Sequence, residues 1–329
     1  MPPRKDGDDV TQPATLPVGP LTPYVTPDIL TNAPTGISWA TIPPGRNTTD
    51  EQRYAEALNI CMRSTAMADS YCNQPLRATL DTEYQSGPDF RITYQQATGN
   101  TRVILQRWPI LQITEVQVSA NTFPRSWVTV PSGYYDVEHP VVGLYGTSAP
   151  SASGEGGQSI LIAPGYANWA LGRNGFWVKT TYVNGWPHTS LTSPANAGDT
   201  TIHVDDCTGW ATISESLGST GVTGVVYDSG SQETAQATAT SAVAGPGVVT
   251  LASPLSFDHD QGVLFTSLPE SIMWAVILFG ASQALTRGAT ATTVQAIPGG
   301  GGSSGTGPAK ASSLADQAQS YLAPFRRVI

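Results

Sequence analysis

Few side chains in this sequence stand at the spacings that chemistry requires. Gly301-Gly302-Ser303-Ser304-Gly305 has the G-x-S-x-G form of a hydrolase nucleophile elbow. An elbow needs a strand before the serine and a helix directly after it, and here the pattern lies inside a Gly/Ser run. Lys310 follows glycines, but Ala309 stands where a phosphate-binding loop has Gly, and no strand leads in. His203, Asp205, Asp206, Asp258, His259 and Asp260 gather enough oxygen and nitrogen for a cation, yet no EF-hand spacing is present. Asp and His in such positions commonly serve turns through local hydrogen bonds. Cys61, Cys72 and Cys207 are odd in number and show neither CxxC nor a Cys/His ligand spacing. Free thiols in a reducing compartment are the plain expectation. Neither a metal, a cofactor nor a catalytic residue is assigned.

Trp39, Trp127, Trp169, Trp186 and Trp210 fall in loops or at strand ends. Aromatic residues there serve as interface anchors or as platforms for sugars. In a chain this rich in Pro and Gly, interface burial is the better account.

The elements that position these residues follow from periodicity. Residues 1–47 carry ten prolines and no apolar period, which predicts an extended arm, either disordered or ordered against a neighbouring subunit. Thr48 and Glu51 form a capping box. Tyr54, Leu58, Cys61, Thr65, Ala68 and Cys72 then line one face of a helix over about 50–72. From Leu76 to Tyr182 the period approaches two. Strands are predicted at 78–83, 90–94, 102–105, 113–118, 134–137, 159–162 and 176–182, as in an antiparallel sandwich. Residues 189–266 read as an inserted all-β module, with strands near 200–204, 225–227, 233–240 and 248–251. Ser267-Leu268-Pro269-Glu270 starts a second helix, with Ile272, Ala275, Val276, Phe279 and Leu285 on one face and Gly288 as its stop. A Gly/Ser linker over 298–312 leads to a last helix near 314–322.

The expected fold is therefore α+β. It comprises a small helical bundle with an antiparallel β-sandwich (48–188 and 267–297), the inserted module (189–266), and flexible arms at 1–47 and 313–329. The net charge of −9 argues against a stand-alone nucleic-acid binder. No apolar leader follows Met1, and the run Ile272 to Ala281 is too short to cross a bilayer.

Three stretches carry a resemblance. Asp69-Ser70-Tyr71-Cys72-Asn73-Gln74-Pro75-Leu76 resembles a helix-to-strand junction. Val103-Ile104-Leu105-Gln106-Arg107-Trp108-Pro109-Ile110, followed by Ile113, Val116 and Val118, is similar to a strand, a basic residue, Pro and a second valine-rich strand. Val178 to Pro187 resembles a strand closing on Gly-aromatic. In this order they resemble the head-to-tail adaptor (connector, or head-completion) family of long-tailed bacteriophages. The resemblance covers about 48–187 and 268–329. It implies a homo-oligomeric ring of twelve subunits in the virion neck, assembled in the host cytoplasm. Its partners would be the portal and a downstream stopper or tail-terminator protein, with double-stranded DNA passing through without specific binding. It implies no enzyme activity and no membrane. Phe325, Arg326, Arg327, Val328 and Ile329 are the residues expected to dock on the portal. A tail-associated carbohydrate-binding or adhesion protein, using Trp210, is the alternative; a tail-associated hydrolase lacks a motif to carry it.

Overall fold

A computed structural model describes residues 22–39, 49–86, 92–94, 100–120, 123–138, 159–163, 176–210, 221–228, 230–286, 290–291 and 307–327. The chain is α+β, with helices α1 (Pro27–Asn32), α2 (Asp50–Cys72), α3 (Glu270–Thr286) and α4 (Gly307–Leu322). Helix α2 has the expected bounds, but its capping box stands one residue later than expected. Thr49, not Thr48, accepts from Gln52 N, and the Gln52 side chain accepts from Thr49 N. Thr-x-x-Gln completes the box as well as Thr-x-x-Glu, and this register leaves Asp50 and Glu51 in the first turn, where the helix dipole favours them. Asn73, left-handed at φ 55°, ends the helix by returning its N–H to Asp69 and Ser70 carbonyls.

The inward face of α2 is Ala57, Ile60, Cys61, Ser64, Thr65, Ala68 and Cys72. Tyr54 and Leu58 sit at its margin and remain exposed, contrary to expectation. Helix α3 is buried nearly all round, because α1, α2 and α4 all pack against it. A single apolar face was therefore too narrow a reading.

Both arms depart from expectation. Thr26 caps α1 inside the Pro-rich segment, and Tyr24, Val25, Leu30 and Ile37 are buried in the helical core. Strand β1 (Ile37–Ser38) pairs with β16 (Thr290–Ala291). At the other end, α4 starts at Gly307, with Pro308 in its first turn. Ala311, Leu314, Ala318, Leu322 and, beyond the helix, Phe325 fill the same core.

Two four-stranded antiparallel sheets come next. One, in the order β2–β9–β5–β6, joins Thr79–Ser86, Phe176–Asn184, Ile110–Ala120 and Val128–Val130. The other, β3–β4–β8–β7, joins Ile92–Tyr94, Thr101–Ile104, Ser159–Ile162 and Tyr135–Glu138. They share one core, with Val103, Ile160 and Ile162 meeting Val116, Val118, Val178 and Tyr182.

The remaining strands are β10 (His188–Ser190), β11 (Thr201–Val204), β12 (Val222–Tyr227), β13 (Glu233–Thr240), β14 (Gly247–Leu251) and β15 (Leu264–Thr266). They form a sheet in the order β10–β15–β12–β13–β14–β11. Its edges meet. Leu191 bridges Val204, Thr192 N donates to His203 O (2.9 Å) and Asp205 N to Ser190 O (3.1 Å). Closure makes a small barrel with its own core. At its centre Trp210 stacks on Phe265, ring centroids 3.9 Å apart. Gly224 permits this, since a Cβ there would stand 2.5 Å from the Trp210 ring. The chain enters and leaves the barrel at adjacent points, with Ser267 N donating to Pro187 O (2.8 Å).

Truncation after Gly307 would strip Leu314, Leu322 and Phe325 from the helical core. At roughly 1.5–3 kcal/mol for each large buried apolar side chain, the loss is comparable with a typical net stability of about 5–15 kcal/mol. The truncated chain is expected to lose the cooperative calorimetric transition of the full-length protein. An unchanged transition would show that α4 is a detachable arm.

Candidate functional site

The stretches that carry the resemblance are far apart in sequence and meet in space at the junction between α2 and β2. Gly185 N donates to Pro109 O (2.9 Å), Trp186 N to Leu76 O (2.9 Å) and Ala78 N to Trp186 O (2.7 Å). Gly185 adopts φ +90°, and a Cβ there would stand 2.4 Å from Arg77 O, so the turn that closes β9 onto this junction requires glycine. Trp108 and Trp186 pack edge to face at 5.8 Å, and Phe325 completes the cluster at 6.4 Å from Trp108 and 5.4 Å from Trp186.

A polar network backs this cluster. Tyr182 Oη donates to Glu83 and accepts from Arg107 N. Glu83 also accepts from Gln106 N. Arg107 pairs with Asp81 at 2.6 Å, and Asp81 accepts from Thr79 Oγ1 and Asn184 Nδ2, each at 2.7 Å. Burial, and then the neighbouring Glu83 carboxylate, push the Tyr182 phenol well above its ordinary value.

The C-terminal segment expected to dock on the portal lies against this junction. Phe325 is buried by its own chain, and Gln74 Nε2 donates to its carbonyl. Arg327 N donates to Cys72 O (2.9 Å), and the Arg327 guanidinium donates to Gln106 Oε1. Arg326 is exposed and stands 5.5 Å over the Tyr71 ring. Phe325 and Arg327 are thus engaged within the subunit, whereas Val328 and Ile329 lie outside the described residues.

The N-terminal segment ties the junction to the barrel. Tyr24 Oη donates to Asp69 Oδ1 (2.6 Å) and accepts from Leu76 N (3.0 Å) and Arg77 N (2.9 Å). Tyr24 N donates to Thr65 Oγ1 (3.0 Å). One residue earlier, Pro23 O lies 3.0 Å from His188 Nε2, and His188 Nδ1 lies 2.9 Å from Thr266 Oγ1. Because Pro23 O can only accept, Nε2 carries the ring proton and Thr266 donates to Nδ1. Thr22 Oγ1 donates to Asp205, which also holds Thr189 Oγ1 and Ser190 N. Residues 22–24 thereby bridge all the layers. The sequence reading missed this role, although Thr26-Pro27-Asp28 is a helix-start signature that could have marked the segment as folded.

The Asp/His cluster is not gathered into one site. Asp205 faces Thr22 and Thr189, Asp206 accepts from Thr208 N and Gly245 N, and Asp258 accepts from Ala197 N. His259 is wedged between Asp228 (3.2 Å) and Glu233 (2.8 Å). Trp210 is fully buried and cannot meet a sugar. Trp39 and Trp186 pack on the helical core, Trp127 meets Tyr84, and Trp169 lies outside the described residues. The Gly301–Gly305 pattern also lies outside them. Lys310 sits on α4. The thiols of Cys61 and Cys72 are buried and pushed up to about 12 by that burial, so both are poor nucleophiles. A cleft of about 280 Å³ lies between α1 and the start of α2, lined by Asp28, Trp39, Arg53 and Tyr54 among others.

The chain matches no protein-family model, no curated protein and no solved structure. The junction makes its own prediction about pH. Burial raises Asp69 from 3.8 to about 6, so the folded state holds a proton there that the unfolded chain has lost. Stability from this group is present below 3.8 and lost as pH rises through 6. Burial lowers His188 from 6.5 to about 4, so its contribution is present above 6.5 and lost as pH falls through 4. Between pH 7 and 5 the two oppose each other. D69N leaves only the histidine effect, and its melting temperature is expected to fall between pH 7 and pH 5 more steeply than the wild type's. Parallel profiles would contradict the assignment.

Proposed function

We propose that this chain is a structural head-to-tail adaptor of a long-tailed bacteriophage. It would form a ring on the portal that extends the DNA channel and offers a surface to the next connector or tail component. The observation that carries the reading is the convergence of the three family-like stretches on one junction, where Leu76, Pro109 and Trp186 are joined by backbone hydrogen bonds. A part of this kind works by holding shape while DNA passes, so its task is mechanical and no bond is made or broken. The acidic balance of −9 suits a conduit to which DNA does not adhere.

In this reading α1–α4 form the bundle, the two sheets with a shared core form the sandwich, and the barrel is an insertion between Pro187 and Ser267. Arg326, the exposed member among the described residues of the tail, is the proposed portal contact; Phe325 and Arg327 serve the subunit's own junction. Arg is suited to such a contact because its planar fork binds carboxylates and carbonyls in a fixed geometry. The sugar-binding alternative rested on Trp210 and loses its carrier with that residue's burial.

Quantitative mass spectrometry of purified virions tests the reading. The chain is expected at a one-to-one ratio with the portal subunit. A threefold or sixfold spike-like stoichiometry, or absence from particles, would contradict it.

A further inference from the structure

The open face of the β2–β9–β5–β6 sheet is unlike the rest of this acidic surface. Phe123 is 97% exposed and Tyr84 57%. Trp127 meets the Tyr84 ring edge-on at 5.9 Å. Arg125 lies 3.9 Å over the Trp177 ring, and Lys179 Nζ is 6.0 Å from the centre of Tyr84. Tyr84 and Lys179 are direct cross-strand neighbours. Among the described residues, neither cation has a carboxylate within ion-pair distance; Lys179 Nζ donates to Gln117 Oε1 (3.2 Å), whose amide nitrogen donates to Glu115 (2.9 Å). Tyr, Trp and Arg, exposed together, are the composition of an interface hot spot.

The barrel carries an exposed aromatic residue beside charges of the opposite sign. Phe257 is 47% exposed and is flanked by the exposed Asp258 and Asp260. The loop beneath it is fixed. Glu233 accepts from Ser256 N (2.8 Å), Phe257 N (3.2 Å) and His259 Nε2 (2.8 Å). Asp258 Oδ1 accepts from Ala197 N, and Ala195 and His259 exchange backbone hydrogen bonds at 2.9 and 2.8 Å. Burial alone would raise the Glu233 carboxyl, but these donors outweigh it and hold it below its ordinary value. The framework presents an aromatic knob to solvent in one conformation, which lowers the ordering cost of binding.

We propose that the Phe257 loop of one copy docks on the aromatic and cationic sheet face of the next, Phe257 against Phe123 and Trp127, with Asp258 and Asp260 facing Arg125 and Lys179. Copies that each carry −9 repel at long range, so contact is favoured where the local sign reverses. Knob and socket are different patches on different units of the fold, so copies can join head to tail, a contact that makes a ring when its rotation closes. The inference rests on the ring reading above and names its interface.

The test uses the full chain in sedimentation velocity and native mass spectrometry across a concentration series. Arg125→Glu and Asp260→Arg each place like charges at the contact. Each alone is expected to weaken self-association by about tenfold or more, as does Phe257→Ser, with the thermal transition retained. Mixing the R125E and D260R proteins one to one should restore assembly, because each defect then faces its complement. If both variants assemble as the wild type does, or if the mixture fails to recover, the knob-and-socket contact is wrong while the ring stands. If the wild type remains a monomer at every concentration, the ring reading falls and this contact with it.

Discussion

The hydroxyl of Tyr24 is the point on which the subunit depends. It is fully buried, and it satisfies the Asp69 carboxylate on α2 and the Leu76 and Arg77 amides that lead into β2. A buried carboxylate and two buried amides would each cost roughly 1–3 kcal/mol or more if left unpaired. A single side chain contributed by the N-terminal segment removes these costs, together with the Leu76 N–H donated to Asp69 Oδ1 (3.0 Å). It also places Pro23 and Thr22 within reach of His188 and Asp205 on the barrel. Helical core, sheets and barrel have three separate apolar clusters, and this strap joins the helical core to the barrel beside the contacts made at Trp108, Trp186 and Ser267.

The same junction receives the C-terminal segment, where Phe325 meets Trp108 and Trp186 and Arg327 reaches Gln106 and Cys72. Both ends of the described chain therefore close on residues 69–77. On the proposed ring reading, contacts between copies fall to surfaces the junction leaves free, such as the aromatic sheet face and the Phe257 loop.

What was legible in the sequence was what local physics determines. Helix α2 was found from its 3.6 period, with the cap placed one residue early, and α3 from Pro269 and Glu270. Strands such as Ser159–Ile162 and Glu233–Thr240 followed from alternation and turn residues. Strands of two or three residues, such as Ile37–Ser38, Val128–Val130 and Leu264–Thr266, were missed because so short a segment has no period of its own. Their pairing is decided by tertiary contact. Prolines hid the folded strap, since Pro23 and Pro27 mark the ends of a segment whose buried Tyr24 carries no periodic signal. The tail was misread for the same reason: Leu314, Leu322 and Phe325 look like an exposed apolar stripe until α3 is known to cover it. Trp210 looked like a loop aromatic because its partners, Phe265 and Gly224, come from strands distant in sequence.

The claim that Tyr24 joins the layers is tested most directly by amide hydrogen exchange on the wild type and Tyr24→Phe. Removing one oxygen changes packing little but takes the acceptor from the Arg77 amide and leaves Leu76 N and Asp69 Oδ1 only each other, at 3.0 Å. The account predicts faster exchange at Leu76 and Arg77, and also at Thr189 and Ser190 on the barrel, whose anchor is held by the same strap. Faster exchange confined to Leu76 and Arg77, with the barrel unchanged, would contradict it and make Tyr24 a local cap only.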